Sequence, residues 1–421
     1  MNTIKKHPVP RIEKLLKGQE MEWKKLGEVT KYEQPTKYRV KSAIYNDNFE
    51  IPVLTAGKTF ILGYTNEKEG IYRASENPVI IFDDFTTANK WVDFDFKVKS
   101  SAMKLIISEN ENEVLLKYVY YWLNTLPSGL TEGDHKRQWI SNYSQKKIPI
   151  PPLAVQKEIV RILDTFTELT TELTTELTAR QKQYTYYRDK LLTFEPQIMQ
   201  PQMNADKRGF EVEWKTLGEV GQIIRGNGLQ KKDFTENGFP AIHYGQIHTK
   251  FGLSAKKAFT YVTKQLAKKL KIADKNDLLI VTTSENDEDL LKPVAWLGDR
   301  VAISGDMMMI KHSQNVKYLA YYFQTEVFQK QKLKYITGAK VRRISKDNLG
   351  KLLIPIPPLE KQKEIVEILD KFDTLTHSIS EGLPKEIALR QKQYEYYRNL
   401  LLSFPTADNA TTDNATTDKR R

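Results

Sequence analysis

Hydrophobic positions along the chain fall into two regimes, a long-period stripe and short alternating runs. Val155, Ile159, Ile162, Phe166, Leu169 and Leu173 alternate steps of four and three, the spacing of a coiled-coil seam. Leu177 follows after a further step of four, and the stripe resumes through Arg180, Tyr184, Tyr187 and Leu191. An added four-residue step is a stutter that locally relaxes a supercoil. The same stripe returns as Ile365, Ile368, Phe372, Leu375 and Ile379, then Ile387, Arg390, Tyr394, Tyr397 and Leu401. Between its halves, Gly382-Leu383-Pro384 predicts a kink or an interruption. Each stripe starts after Ile-Pro-Ile-Pro-Pro, whose prolines disfavour helix before them and suit one beginning just beyond. A continuous helix from Ala154 to Phe194 spans roughly 60 Å at about 1.5 Å per residue. In a short helix such a stripe is an ordinary core face. Two like stripes of this length predict packing against each other, antiparallel if a pseudo-two-fold axis relates them, with the segments before each stripe at opposite ends.

Those segments carry the second regime. In 30–147, IPVLTAGKTFILGYT, NPVIIFDDF and NKWVDFDFKVKS predict strands and EVLLKYVYYWLNTL a helix. In 221–353, GFPAIHYGQI, DLLIVTT and PVAWLG predict strands and VKYLAYYFQTEVFQKQKL a helix. The blocks around these inserts are written twice. EWKKLGEV at 22–29 returns as EWKTLGEV at 213–220, KKIPIPPLAVQKEIVRILDTF at 146–166 as KLLIPIPPLEKQKEIVEILDKF at 351–372, and ARQKQYTYYRDKLLTF at 179–194 as LRQKQYEYYRNLLLSF at 389–404. The inserts themselves barely match, with weak echoes of IPVLTAGK in FPAIHYGQ and of KYVYYWLNT in KYLAYYFQT, and the second is 15 residues longer. A duplicated frame carrying two unlike inserts suits a protein that holds two different readers at a fixed separation.

Charge narrows what is read. Lys and Arg outnumber Asp and Glu by 65 to 53, a net charge of +12 over 421 residues, which favours a polyanion such as nucleic acid. There is no cysteine, so disulfides and thiolate metal sites are excluded and a reducing cytosol is the expected home. The N-terminal MNTIKKHPVPRIEKLLKG lacks a signal-peptide core and no run reaches membrane-spanning length, so a cytoplasmic protein without a membrane is expected. PTADNATTDNATTDKRR at 405–421 is polar and low in complexity, and is expected to be a disordered tail whose Asn-Ala-Thr sequons carry no meaning outside secretion.

Together the repeated blocks resemble the specificity subunit of Type I restriction-modification enzymes, over nearly the whole chain up to the tail. The paired PIPPL…QKEIV…ILD motifs and the RQKQY…YYR motifs carry the resemblance. It implies an α/β (α+β) fold with two globular target recognition domains, 1–147 and 196–353, and an internal pseudo-two-fold repeat. Two long antiparallel coiled-coil helices separate the domains, a central spacer at 148–195 and a C-terminal one at 354–404. It also implies that each domain reads half of a split double-stranded DNA target. The helices would set the half-site spacing and bind two methyltransferase subunits, with motor-nuclease subunits joining through them. Such a subunit has no catalytic centre and no cofactor of its own; S-adenosylmethionine, ATP and Mg²⁺ belong to other subunits of the complex. Four-residue repeats like TELTTELTTELT at 167–178 are implied to adjust the spacer. Four residues overshoot a turn of about 3.6 by roughly 40°, close to the twist of one base pair when a duplex turn holds about 10. The rise per repeat, roughly 6 Å, exceeds a base-pair step, so the match is in rotation. A simple-sequence expansion on a solvated helix is the other reading.

DNA recognition combines phosphate anchors with base-edge readers. Candidates in the first domain are Lys58, Thr86, Thr87, Asn89, Lys90, Lys97, Lys99, Lys136, Arg137 and Gln138. Thr86 to Lys90 follows an apolar strand, and His135 to Gln138 sits in a polar turn before the proline hinge. Lys340, Arg342 and Arg343 hold the corresponding place in the second domain. Further candidates there are Arg225, Asn227, Lys231, Lys232, His243, Gln246, Ser284 and Asn286, because Arg and Gln can each bond two atoms of one base. Any one of these lysines equally suits solvated surface. For subunit contacts the candidates are Tyr184, Tyr187, Arg188 and Leu191, with Tyr394, Tyr397, Arg398 and Leu401, which would equally suit the intramolecular seam.

Rival functions find less support. TAGKT at 55–59 ends like a phosphate loop, but Pro52 stands where that motif needs glycine. Asp84, Asp95 and Lys97 have the composition of a Mg²⁺-dependent nuclease site, without an obvious copy in the second domain. His243 and His248 lack a third spaced ligand. No NPPF-like or DPPY-like tetrapeptide is present, so adenine methylation by this chain alone is not expected. A protein-binding coiled-coil scaffold is the structural rival, against which the charge and the two divergent inserts count.

Overall fold

The repeated blocks pair with one another. Glu22–Lys25 lies antiparallel to Lys147–Ile150 with Trp23 opposite Pro149, and Glu213–Thr216 lies antiparallel to Leu353–Ile356 with Trp214 opposite Pro355. Proline donates no ladder bond, and a two-stranded ribbon is a place where that is tolerated. The tryptophan block and the proline hinge, far apart in sequence, thus close each insert at its base. The computed structural model describes residues 14, 17, 21–56, 59–127, 137–194, 209–378 and 381–404. These fall into two units, the first drawn from Met1–Glu172 with Ile387–Arg421 and the second from Leu173–Glu386.

In the first unit, Thr30–Glu33, Met103–Ser108, Val79–Asp83 and Asn89–Val92 form an antiparallel four-stranded sheet in that order. Ile61–Thr65, Ile51–Leu54 and Lys97–Val98 form a three-stranded one. Successive residues of a strand face opposite sides, and Val79–Asp83 is buried on both. Ile80 and Phe82 pack with the helix Leu116–Leu123 and with Val155, Ile159 and Phe166 of the long helix. Val79 and Ile81 join Leu54, Phe96 and Val98 in a second core.

The second unit repeats this layering. Its five-stranded sheet runs Gly221–Arg225, Met307–His312, Leu278–Val281, Pro293–Trp296 and Ser254–Ala255, and a four-stranded sheet runs Thr260–Val262, Phe239–Ile242, Val301–Ile303 and Lys271–Ala273. Leu278 and Ile280 face the helix Val316–Tyr322, while Leu279 and Val281 face the other core. The predicted strand GFPAIHYGQI stops at Ile242, because His243 and Gln246 cap a helix over Tyr244–Thr249. The predicted helix VKYLAYYFQTEVFQKQKL is two, Val316–Tyr322 and Glu326–Lys332, with Thr325 capping the second.

Leu153–Leu192 is one helix of 40 residues, while the second stripe is broken into Leu359–His377 and Gly382–Leu401. Gly382 has φ +75°, and a Cβ there would lie 2.4 Å from the Thr374 carbonyl oxygen, so glycine is required at the break. Within each unit two helical stretches run antiparallel. Phe166 stacks on Tyr397 in the first, and Tyr187 stacks on Phe372 while Tyr184 meets His377 edge-on in the second. Ile368 departs from the predicted seam: it is 42% exposed, and burial falls on Ile365, Val366 and Leu369. Ile379 and the tail 405–421 lie outside the described residues. Among the described residues, no helix is long and apolar enough to cross a membrane.

Candidate nucleic-acid interface

Each unit brings the loop after its central buried strand against the segment before its proline hinge. In the first unit Asp83 folds that loop: its Oδ1 accepts from the backbone N–H of Phe85 (2.9 Å) and Thr86 (3.1 Å), and its carbonyl accepts from Thr87. Thr87 sits at φ +61°, a left-handed conformation that a β-branched residue adopts only under constraint. Asp84 reaches across. Its carbonyl oxygen accepts from the Gln138 N–H (2.8 Å), and Oδ1 accepts from the Trp139 N–H (2.9 Å) at the start of the short helix Gln138–Ser141. Lys104 Nζ, buried 3.6 Å from Asp84, balances the carboxylate. The loop therefore exposes Phe85, Thr86 and Lys90 beside an exposed Arg137, with Asn89 half-buried.

In the second unit the Thr282 carbonyl oxygen accepts from the Ile344 N–H (3.3 Å), and Thr283–Ser284 pairs antiparallel with Arg342–Arg343. Counted back from Pro149 and Pro355, Arg137 and Arg343 hold the same place. Arg343 and Lys340 are exposed; Arg342 is held by Asp287 (3.0 Å) and by the Gly338 carbonyl (2.8 Å). Lys332 braces the loop from beneath, donating to the carbonyls of Glu288 (3.1 Å) and Leu290 (2.7 Å); burial pushes its ammonium down to about 8. The turn Ser304–Asp306 gathers further candidates. Arg225 Nε donates to the Gly305 carbonyl (3.1 Å), the Tyr244 N–H to Ser304 Oγ (3.0 Å) and the Thr283 hydroxyl to Asp306 (2.8 Å). A Cβ on Gly226 would stand 2.0 Å from the Ser304 carbonyl oxygen, so the close approach needs glycine. His243 lies beside Tyr244 and is held below its ordinary pKa by burial and then by Lys231. Lys231 and Lys232 are exposed.

Several candidates belong to the scaffold instead. The Lys97 side chain is 2% exposed, donates to the carbonyls of Glu69 (2.5 Å) and Gly70, and pairs with Glu67 (3.2 Å), so it presents nothing to DNA. Thr87, Gln138 and Ser284 are buried. Gln246 has both ends of its amide engaged, accepting from the His243 N–H (2.9 Å) and donating to Thr260 (3.2 Å). Asn227 bridges the Lys269 carbonyl and the Lys271 N–H. Asn286 exchanges hydrogen bonds with Asp289 within its own loop, although it is exposed. Lys99 is exposed, 5.7 Å from the Tyr45 ring centre. Lys58 and Lys136 lie outside the described residues.

The subunit-contact candidates are seam residues. Tyr184 and Leu401 are buried, Leu191, Tyr394 and Tyr397 pack on the cores, and Tyr187 stacks on Phe372. Arg188 pairs with Asp189 and Arg398 bonds Asn399, each guanidinium also lying over the tyrosine four residues earlier. Tyr186 and Tyr396, at matching places in the repeat, are instead 59% and 63% exposed. Phe85, at 38% exposed, was likewise absent from the candidates. Helix arithmetic points to the tyrosines, since two residues beyond a seam position faces roughly 200° away.

The nuclease constellation does not assemble. Asp95 pairs with Arg73 (2.6 Å) and accepts from the Ser75 hydroxyl (2.6 Å), Lys97 is committed to Glu67, and Asp84 to Lys104 and Trp139. Among the described residues no group of three or more His, Asp or Glu could hold a metal ion.

Known proteins carry the same organisation. The Type I restriction modification DNA specificity domain matches twice, at residues 18–182 and 211–389. The specificity subunit of the Escherichia coli Type I restriction enzyme EcoR124I/EcoR124II is 53% identical over 414 residues, covering 95% of this chain and 98% of that protein. A putative type I restriction enzyme specificity subunit of Haemophilus influenzae is 33% identical, covering 93% and 98%. The crystal structure of a Type I restriction-modification S subunit from M. genitalium shares the fold with a TM-score of 0.56 at 15% identity, covering 92% of this chain and 98% of that one. The chain belongs to the family of Type I restriction-modification DNA specificity subunits, and its function is recognition of DNA sequence.

Proposed function

We propose that this chain is the non-catalytic reader of a split, asymmetric DNA target, directing adenine methylation or restriction by partner subunits. One observation carries the reading: two unlike loops are placed alike against the pre-hinge segments of their units, and each pre-hinge segment exposes an arginine, Arg137 or Arg343. Equal placement suits phosphate anchoring in a common pose, and unlike loop sequences suit different base readout. Thr86, Asn89 and Lys90 in one unit, and Arg225, Lys231, Lys232, His243, Lys340 and Arg342 in the other, supply the further DNA contacts. The working complex contains two methyltransferase subunits, with motor-nuclease subunits joining it in the cytoplasm. S-adenosylmethionine, ATP and Mg²⁺ are held by those partners.

The test is methylation mapping of genomic DNA in cells expressing the chain with its methyltransferase partner. A split adenine-methylated motif should appear and vanish when this chain is deleted. Arg137→Ala should weaken methylation at targets through one half-site and Arg343→Ala through the other. Unchanged methylation with a competent partner present would overturn the reading.

A further inference from the structure

The two inserts barely match in sequence, yet each is fastened to its helix by the same polar contacts. In the first unit the helix Leu116–Leu123 directs Lys117 and Tyr121 to one carboxylate on the long helix. The Tyr121 hydroxyl donates to Asp164, and Lys117 Nζ lies 3.5 Å from the same oxygen. In the second unit, Val316–Tyr322 repeats the arrangement on Asp370, with Lys317 Nζ at 2.7 Å and the Tyr321 hydroxyl donating at 2.8 Å. A second anchor lies eight residues earlier on each helix. Gln156 accepts from the Leu115 N–H (2.9 Å) and donates to the Pro151 carbonyl, while Gln362 accepts from the Asn315 N–H (2.9 Å) and donates to the Pro357 carbonyl. Tyr118 and Tyr318 add hydrogen bonds of 2.8 Å each to the carbonyls of Pro149 and Pro355.

Stability alone does not call for this. Apolar side chains of similar volume hold such an interface as well as an ion pair does, whereas a satisfied polar network selects one arrangement. Two anchors about 12 Å apart along a helix fix both the height and the rotation of the domain on it. In the first unit the network continues to the reading strand. Lys117 Nζ stands 4.2 Å from the Trp91 ring centre, and Asn124 donates to Asn89 Oδ1 (3.2 Å). Trp91 and Asn89 belong to the strand that carries Lys90.

We propose that Lys117, Tyr121 and Asp164, and likewise Lys317, Tyr321 and Asp370, are positioning clamps that lock each recognition domain in rotation on its helix. They thereby set how sharply the protein discriminates the number of base pairs between the half-sites. This rests on the split-target reading above. Adding one base pair to the spacer turns the second half-site by about 36° when a turn holds about 10, so a domain free to swivel by tens of degrees accepts neighbouring spacings.

The experiment uses the full chain with its methyltransferase partner and duplexes carrying both half-sites at the native spacing, or one base pair longer or shorter. Wild type should prefer the native spacing by about tenfold or more, the cost typical of one misplaced base pair. Asp164→Leu and Asp370→Leu should each cut that preference several-fold while base preferences within the half-sites stay unchanged. Asp164→Asn, which still accepts from Tyr121, should retain most of it. Tyr121→Phe keeps the ring and its packing, and should reproduce the loss if the leucine variants do not assemble. An unchanged spacing preference in Tyr121→Phe and in the leucine variants that assemble, or base preferences that degrade in step with spacing, would overturn the clamp. Wild type showing no spacing preference would instead sink the split-target reading on which it rests.

Discussion

Lys97 and Lys90 look alike as basic residues in a strand-rich segment, and the structure separates them completely. Lys97 closes an internal site with Glu67 and two carbonyls, whereas Lys90 is exposed beside the loop that meets Arg137. Lys97→Met leaves Glu67 without its buried counter-charge and should lower the unfolding free energy by about 3 kcal/mol, read by denaturant titration, with the salt dependence of DNA affinity unmoved. Arg137→Ala should do the reverse: unchanged unfolding, about five- to tenfold weaker DNA binding, and a salt slope smaller by about 1. Lys332 gives a pH test. Its folded pKa of about 8 lies below the ordinary lysine value of 10.5, so above pH 8 the unfolded chain binds more protons and stability rises with pH until both states are neutral. Compared with Lys332→Met, wild type should gain about 2 kcal/mol between pH 8 and 10; a difference that stays flat over that window means the ammonium is not desolvated. None of these fates was legible in residue type. What decided them was the pairing of Lys97–Val98 with Ile51–Leu54 and the return of the 285–290 loop over Lys332, both long-range events.

At the scale of the element, the stripe of four and three predicted the helices, the prolines their start after the hinge, and Gly382-Leu383-Pro384 the break between Leu359–His377 and Gly382–Leu401. It also predicted Tyr184, Tyr187, Tyr394 and Tyr397 as seam residues, and assigning those same residues to partner contacts ran against that periodicity. The tyrosines between them, Tyr186 and Tyr396, face away from the seam and remain exposed in a repeat whose other aromatic rings are buried or partly buried. An exposed tyrosine written twice suits one kind of partner bound twice, since aromatic anchors dominate interface energetics. Tyr186→Ala and Tyr396→Ala should each weaken capture of the methyltransferase subunit by about tenfold while leaving unfolding unchanged, and together should abolish the two-partner complex in analytical ultracentrifugation. Full retention of two partners by the double variant would exclude these rings as anchors. Elements defined by pairing were harder to foresee than those defined by period. Met103–Ser108 and Met307–His312 lie between strands of both central sheets, yet each follows a turn and reads as one more apolar run.

At the scale of the molecule, duplication makes a quantitative demand. The frame is the same in both units, since ribbon, hinge, glutamine anchor and Lys–Tyr–Asp contact all recur, whereas the reading loops share little sequence. Two readers built this way should contribute separately to binding, because Arg137 lies in one unit and Arg343 in the other, each against its own unit's loop. Substitutions at sites without shared partners add within about 0.5 kcal/mol. On a duplex carrying both half-sites, the loss from Arg137→Ala with Arg343→Ala should therefore equal the product of the two single losses, in the range of 25- to 100-fold if each costs about five- to tenfold. On a duplex with the first half-site scrambled, Arg137→Ala should lose most of its effect while Arg343→Ala keeps its own. A double loss well below the product would mean that both arginines serve one shared contact, and the two-reader interpretation would give way to a single continuous basic surface. The basic excess of the whole chain cannot make that distinction, since charge spread over the surface weakens every duplex alike as salt rises; dependence on which half-site is intact can.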